Sequence, residues 1–368
     1  MKVVCNGLEL ADALQKVSKA IPQKKGIPIL EGIKLSAAGN ELTLSATDTA
    51  FAIVKNIKAD VMIEGETVVP GKFLAEFARK LSSENQIELD LQDDGVLKIK
   101  YMDSEIKMQC MDVNEFPPIN ELQPEVVVSM KQSELKDLVG KIIFSASTEE
   151  IRPILKGVLF SLDKDVLTGV ALDGYRLAVA KKKLDREYDK RDMVIPAKSL
   201  FEIAKLIEDA DGFVKLVVND KKLMIDLDHT KVITALLEGE FIQYEKIIPK
   251  EFGTTVTVNK EQFATCLDRV SLVSRISKNN LIKLDFKEKM VTVSADASIS
   301  KVKENVAISL DGKDITIGFN DKYIADCLKV IGDEFIKVQM NNSVMPCVIV
   351  PVEGDEFLYL ILPIRVME

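Results

Sequence analysis

The chain holds 368 residues, 47% of them apolar and 29% charged, with a formal net charge of −9. This is ordinary globular composition, and without an apolar run near about 18 residues it excludes a membrane-spanning helix. Five scattered cysteines and a single histidine exclude a disulfide framework, argue against zinc sites, and point to a reducing, cytoplasmic setting.

The opening, MKVVCNGLEL, runs straight into a strand and then a helix pattern, so no signal peptide is expected. Ala11, Leu14 and Val17 have helical spacing. IPQKKGIPIL follows, a loop with Lys24 and Lys25 between prolines. LTLSATDTAFAI alternates with period two, as a sheet with one buried face does. TVVPGKFLAEFARKL reads as a strand ending at Pro70 and an amphipathic helix after it, and IELDLQDDGVLKIKY reads as a hairpin about an Asp-Gly turn.

The same order then recurs. The first helix returns as SELKDLVGKI and EQFATCLDRV, and the alternating strand as LTGVALDGYRLA and VTVSADASISKV. The strand–helix phrase returns as MVIPAKSLFEIAKLI and ITIGFNDKYIADCLKVI, and the hairpin as VKLVVNDKKLMIDL and IKVQMNNSVMPCVIV. Pro70, Pro196 and Asn320 fall in register at spacings of 126 and 124, with Lys72, Lys198 and Lys322 behind them. Asp48, Asp173 and Asp296 are spaced 125 and 123. Four phrases at one period mean three copies of one domain, 1–122, 123–250 and 251–368. The period is long enough for each copy to carry its own core. Each copy reads as two helices covering antiparallel sheets, an α+β fold.

Catalytic chemistry finds little support. His229 stands alone in a turn, no phosphate-binding glycine loop appears, and no Ser–His or Cys–His pairing can be built around one histidine. Asp48 and Asp173 follow strands at turns, where carboxylates serve backbone donors. Charge is more informative. The six helix segments together carry +4, leaving −13 on everything else, so helices and sheets face different partners.

SATDTAFAI, TVVPGKFLAEFARKL, NEFPPI, IRPILKGVLF, ALDGYRLAVA, IGFNDKYI and the ending LYLILPIRVME resemble, in order and over the whole chain, the bacterial DNA polymerase III β subunit family, the sliding clamps. The resemblance implies a homodimer closed head to tail into a ring of six domains, helices inside and sheets outside. It also implies a non-catalytic processivity factor without cofactor or metal that encircles duplex DNA regardless of sequence. Twelve helices with axes about 10 Å apart leave a hole of about 28 Å, whereas six leave only about 10 Å, too narrow for a duplex.

For such a clamp, sequence-independent phosphate contacts fall to Lys24, Lys25, Lys72, Arg79, Lys198 and Lys205. The resemblance places a peptide-binding groove at Leu155, Gly174, Tyr175, Arg176, Leu177, Ile242, Ile247, Asn320, Tyr323, Val344, Leu360, Leu362, Pro363 and Arg365. Arg176, Asn320 and Arg365 are its expected donors to peptide. There the replicative polymerase α subunit, the clamp loader, repair polymerases and other proteins dock short tails. Leu172, Tyr175 and Ile242 stand where the family often carries Thr, His and Pro. The dimer patch falls to Ile106 and Met108 on one side and Leu272 and Val273 on the other. Two other classes compete: a carboxylate hydrolase, which the missing nucleophile–base set disfavours, and a monomeric peptide-binding scaffold, which mass in solution separates from a ring.

Overall fold

A computed structural model describes residues 1–24, 26–81, 86–120, 122–208 and 211–365. The first repeat contains β1 (Lys2–Asn6), α1 (Gly7–Val17), β2 (Gly32–Ala38), β3 (Glu41–Thr47), β4 (Phe51–Ile63), β5 (Gly65–Pro70), α2 (Gly71–Ala78), β6 (Gln86–Leu91), β7 (Val96–Tyr101) and β8 (Ser104–Gln109). The second contains β9 (Val126–Lys131), α3 (Gln132–Ile142), β10 (Gly157–Leu172), β11 (Arg176–Pro196), α4 (Ala197–Leu206), β12 (Phe213–Val218), β13 (Lys222–Asp226) and β14 (Thr230–Ala235). The third contains β15 (Thr254–Asn259), α5 (Lys260–Ser274), β16 (Leu281–Lys287), β17 (Met290–Ala297), β18 (Ser300–Gly312), β19 (Ile315–Asn320), α6 (Asp321–Val330), β20 (Phe335–Met340), β21 (Cys347–Pro351) and β22 (Phe357–Ile361).

The repeated order is the expected one, with one variation. In the middle repeat four strands merge into two long ones, β10 of 16 residues and β11 of 21. The strand–helix phrase is a junction in all three copies: Pro70, Pro196 and Asn320 end strands, and an exposed lysine occupies the second helical position. α2 and α4 end at Ala78 and Leu206, short of the ends of their sequence phrases at 81 and 207.

Helix starts follow capping chemistry. The Oδ1 of Asn6 accepts from the amides of Leu8 (2.9 Å) and Glu9 (3.2 Å), and Asn259 caps α5 by accepting from Gln262 N at 3.0 Å. α1 buries Leu10, Ala13, Leu14 and Val17, a one-sided stripe. α5 buries Phe263, Cys266, Leu267 and Val270 and packs on β17 and β18. Burial pushes the Cys5, Cys266 and Cys347 thiols up to about 12, so these cysteines act as small apolar fillers. Cys110 is only half-buried.

The chain divides into two compact units, Met1–Ser133 with Glu202–Leu236, and Glu134–Phe201 with Leu237–Glu368. The first contains a 12-stranded sheet in which β4 of the first repeat pairs with β14 of the second. The second contains a 10-stranded sheet in which β11 of the second repeat pairs with β22 of the third. The middle repeat therefore contributes strands to both units, and each unit has one antiparallel seam between consecutive repeats.

Candidate functional site

The second seam carries the groove residues. The ladder sets Arg176 opposite Ile361 and Leu177 opposite Leu360. Before it, the chain turns at Asp173-Gly174. Gly174 has φ +93°, a conformation suited to glycine, and Asp173 accepts from the amides of Tyr175 (2.9 Å) and Arg176 (3.0 Å). The carbonyl of Tyr175 accepts from Leu362 N at 2.9 Å.

The groove candidates fall into two sets. Leu155, Leu177 and Leu360 are only 2–3% exposed and join Leu172 in a buried cluster against which Ile242, Phe241, Tyr244 and Ile248 pack. Tyr175, Ile247, Val344 and Leu362 are 36–58% exposed. The first set is floor and the second is the apolar surface a ligand can cover. Tyr323 is half-buried on α6, and its ring stacks on Tyr175 at 6.2 Å between centroids. Burial raises the Tyr323 phenol above its ordinary value, with the charge of Asp173 adding to the effect.

The donors are arranged differently from expectation. Arg176 is 9% exposed. Its Nε donates to Asp173 at 3.0 Å, one terminal nitrogen to Asp326 at 2.8 Å, and the other to the carbonyl of Phe144 at 2.5 Å. Its guanidinium also lies 4.8 Å from the Tyr323 ring centroid and 5.3 Å from that of Phe144. Asn320 caps α6, accepting from Lys322 N at 3.0 Å. Pro363 is half-buried and Arg365 is exposed, leaving Arg365 as the most open cation of the set. Sequence reading missed Asp326 and Phe144 because they lie 150 and 32 residues from Arg176, and no local pattern links them.

Among the expected phosphate-contacting cations, Lys24, Lys72, Arg79, Lys198 and Lys205 are exposed, and Lys25 lies outside the described residues. Lys72 Nζ donates to the carbonyl of Pro22 at 3.5 Å, tying α2 to the Lys24 loop. Lys205 already pairs with Glu202 at 3.2 Å. Lys16 sits between Asp12 (2.9 Å) and Glu208 (2.6 Å). Burial alone lowers its pKa, but hydrogen bonds with these two carboxylates hold it above the ordinary value.

β8 is the last strand of the 12-stranded sheet. Ile106 on it is half-buried, whereas Met108 points inward at 6% exposure. Other apolar side chains of the same repeat, which sequence reading missed, are open instead. Phe73 is 54% exposed and Met102 70%, and Phe73 stacks on Phe77, which meets Tyr101 edge-on at 5.7 Å. On the other side, Leu272 is 66% exposed, beside half-buried Val273 and with Ile276 and Ile299 also exposed. His229 is exposed beside Asp228 in a turn. Among the described residues no group of three His, Cys, Asp or Glu side chains could hold a metal, and no helix is long and apolar enough to cross a membrane.

Three family models cover almost the whole chain: the DNA polymerase III beta subunit N-terminal domain at residues 1–120, its central domain at 129–243 and its C-terminal domain at 245–365. The chain belongs to the DNA polymerase III β subunit family. The family's beta sliding clamp from Halalkalibacterium halodurans is 34% identical over 363 residues, 95% of each chain. That of Bacillus subtilis is 30% identical over 377 residues, covering 99% of this chain and 100% of the relative. The crystal structure of the Bacillus subtilis DNA polymerase sliding clamp superposes with a TM-score of 0.96 at 28% identity, and one from Eubacterium rectale, a putative DNA polymerase III beta subunit, with 0.95 at 29%, each over 100% of both chains. The family is the non-catalytic sliding clamp of DNA polymerase III, and the three-domain α+β fold is that of this chain.

Proposed function

We propose that two copies of this chain close head to tail around duplex DNA and tether the replicative polymerase through the second-seam groove. The observation that carries this reading is the repetition of one seam. β14 adds to the Phe51–Lys55 half of β4, and β22 adds to the Arg176–Ala180 half of β11. The corresponding half of β18, Ser300–Glu304, pairs with β17 on one flank, and β15 joins β18 only from Ile308 onward. β8 is the strand of the first repeat that corresponds to β14 and β22, and it ends its sheet. A ring results when β8 of one copy adds to β18 of the other, which also removes both exposed strand edges. Carrying over the two internal registers sets Ile106 opposite Val302 of the second copy, with Met108 opposite Ser300.

Exposed Lys24, Lys72, Arg79 and Lys198 then contact phosphates without reading bases. The neutralised Lys16 and Lys205 keep that attraction shallow enough to slide. Tails of the polymerase α subunit, the clamp loader and repair polymerases dock over Leu362, Val344, Tyr175 and Tyr323. A short flexible ligand loses much of its interaction energy to ordering, so the affinity is micromolar, about −8 kcal/mol. Retention on nicked circular DNA with loss on linearisation tests the ring, because a conventional binder ignores the topology. Ile106→Cys with Val302→Cys tests the register: oxidation yields a covalent dimer if the two residues are cross-strand neighbours. Failure to retain circular DNA, or a monomer that retains it, overturns the reading.

A further inference from the structure

We propose that Arg176 is a positioning residue of the groove: it orients Tyr323, Tyr175 and Leu362 for a docking tail instead of touching the tail itself. The proposal rests on the groove reading above and deepens it.

Arg176 and Phe51 occupy the same place in the two seams, each at the first ladder position of its strand and each 9% exposed. A phenylalanine fills the place in the first seam by packing alone. In the second seam the chain instead buries a guanidinium with carboxylates on two sides. Such an ion network is rarely more stable than well-packed apolar side chains of similar size, so stability does not account for it. Its geometry supplies another role. Nε grips Asp173, whose carboxylate also accepts from Tyr175 N and Arg176 N, so the guanidinium locks the turn that presents Tyr175. That turn sets the Tyr175 carbonyl, which holds Leu362 N. A second nitrogen grips Asp326 on α6, one turn after Tyr323, and the plane lies under the Tyr323 ring. The third contact, to the Phe144 carbonyl, fixes the guanidinium from behind. One side chain therefore ties together the turn, the helix and the strand end that carry three rim residues. With Nε and both terminal nitrogens engaged and 9% of the residue exposed, it has little left to offer a peptide. A lysine cannot substitute, because a single ammonium lacks the planar fork and the stacking face.

The test titrates a fluorescein-labelled peptide bearing Gln followed by an apolar Leu-Phe end into the full-length protein, alongside thermal melts. Arg176→Phe, which copies the first seam, is expected to keep the melting temperature within a few degrees and to weaken the peptide at least tenfold, and Arg176→Lys to fail to restore binding. The decisive arm is a double-mutant cycle. If Arg176 acts through Tyr323, Arg176→Phe in a Tyr323→Ala background weakens binding less than twofold further. If Arg176 touches the peptide, its full loss appears in both backgrounds and the proposal fails. Fluorotyrosine NMR supplies an independent readout: without peptide, the Tyr175 and Tyr323 resonances shift in Arg176→Phe if the rings lose their fixed positions, and unchanged resonances overturn the proposal. Should Arg176→Phe fail to fold, Asp326→Asn cuts one tether and is read by the same cycle. Wild-type protein that binds no tail refutes the groove itself, whereas wild type and Arg176→Phe binding equally refutes only this inference.

Discussion

The two seams share a backbone plan and differ in what their side chains leave open. In the first, Asp48 caps a turn by accepting from the amides of Ala50 (3.0 Å) and Phe51 (2.7 Å), and Asp173 does the same in the second. After the turn the first seam continues with Ala50, Phe51 and Ala52, the second with Tyr175, Arg176 and Leu177. The first seam's cluster of Ala52, Leu122, Val217, Met224 and Ile233 is sealed by Ile119 from the connector before β9. The second has a similar floor, but Tyr175, Ile247, Val344 and Leu362 remain exposed above it. A duplicated fold thus leaves apolar side chains open at one copy of a junction through a few large side chains, with the ladder unchanged.

The third, intermolecular seam should be the easiest to break. Leu272→Ala with Val273→Ala removes apolar surface that only a second copy covers, and the dimer dissociation constant is expected to rise about 100-fold, near 3 kcal/mol. Sedimentation at low micromolar concentration checks this, with circular dichroism showing a folded monomer. Within the second seam, floor and rim should separate cleanly. Leu177→Ala empties a site 3% exposed and should cost about 2–4 kcal/mol in denaturant unfolding. Val344→Ala with Leu362→Ala should leave unfolding unchanged and weaken tail peptide about tenfold, or about 1.4 kcal/mol.

The turns offer a smaller contrast. Thr49 is β-branched at φ 80°, where the second seam has Gly174 at φ 93°. Thr49→Gly should stabilise by about 1 kcal/mol and Gly174→Thr destabilise by a similar amount, since backbone strain of this kind costs about 1–3 kcal/mol. Paired thermal melts read both. The smallest effect is electrostatic. Glu304 on β18 is held below its ordinary carboxylate value by hydrogen bonds from Arg269 on α5. A depressed carboxylate contributes its stabilisation above the unfolded value near 4.5 and loses it as the pH falls through the lower folded value. Folding stability should therefore weaken slightly in that acidic window. Glu304→Gln should remove that part of the pH dependence, as read by denaturant unfolding across a pH series.

Much of the fold was legible because it was written three times. Apolar spacing, the proline and asparagine junctions and the turn carboxylates are local signals, and repetition turned each weak one into a strong one. Asp48 and Asp173 cap turns as expected, but Asp296 departs: it lies inside β17 and pairs with Lys301 across the hairpin. The merging of four middle-repeat strands into β10 and β11 was not legible, because continuity across a bend depends on neighbouring strands more than on local propensity. For the expected groove residues, the sequence did not show which are buried. Leu177 and Leu362 are alike in sequence, yet one is 3% exposed and the other 36%.

By itself the sequence determined the threefold repeat and the α+β class. These follow from short-range periodicity and residue chemistry, which need no knowledge of distant contacts. Tertiary structure alone decided that the middle repeat divides its strands between two sheets, that Met108 turns inward, and that Arg176 is clasped by Asp173, Asp326 and Phe144. Each depends on groups brought together from far along the chain. Burial and the direction of a hydrogen bond belong to that assembled neighbourhood, not to the residue.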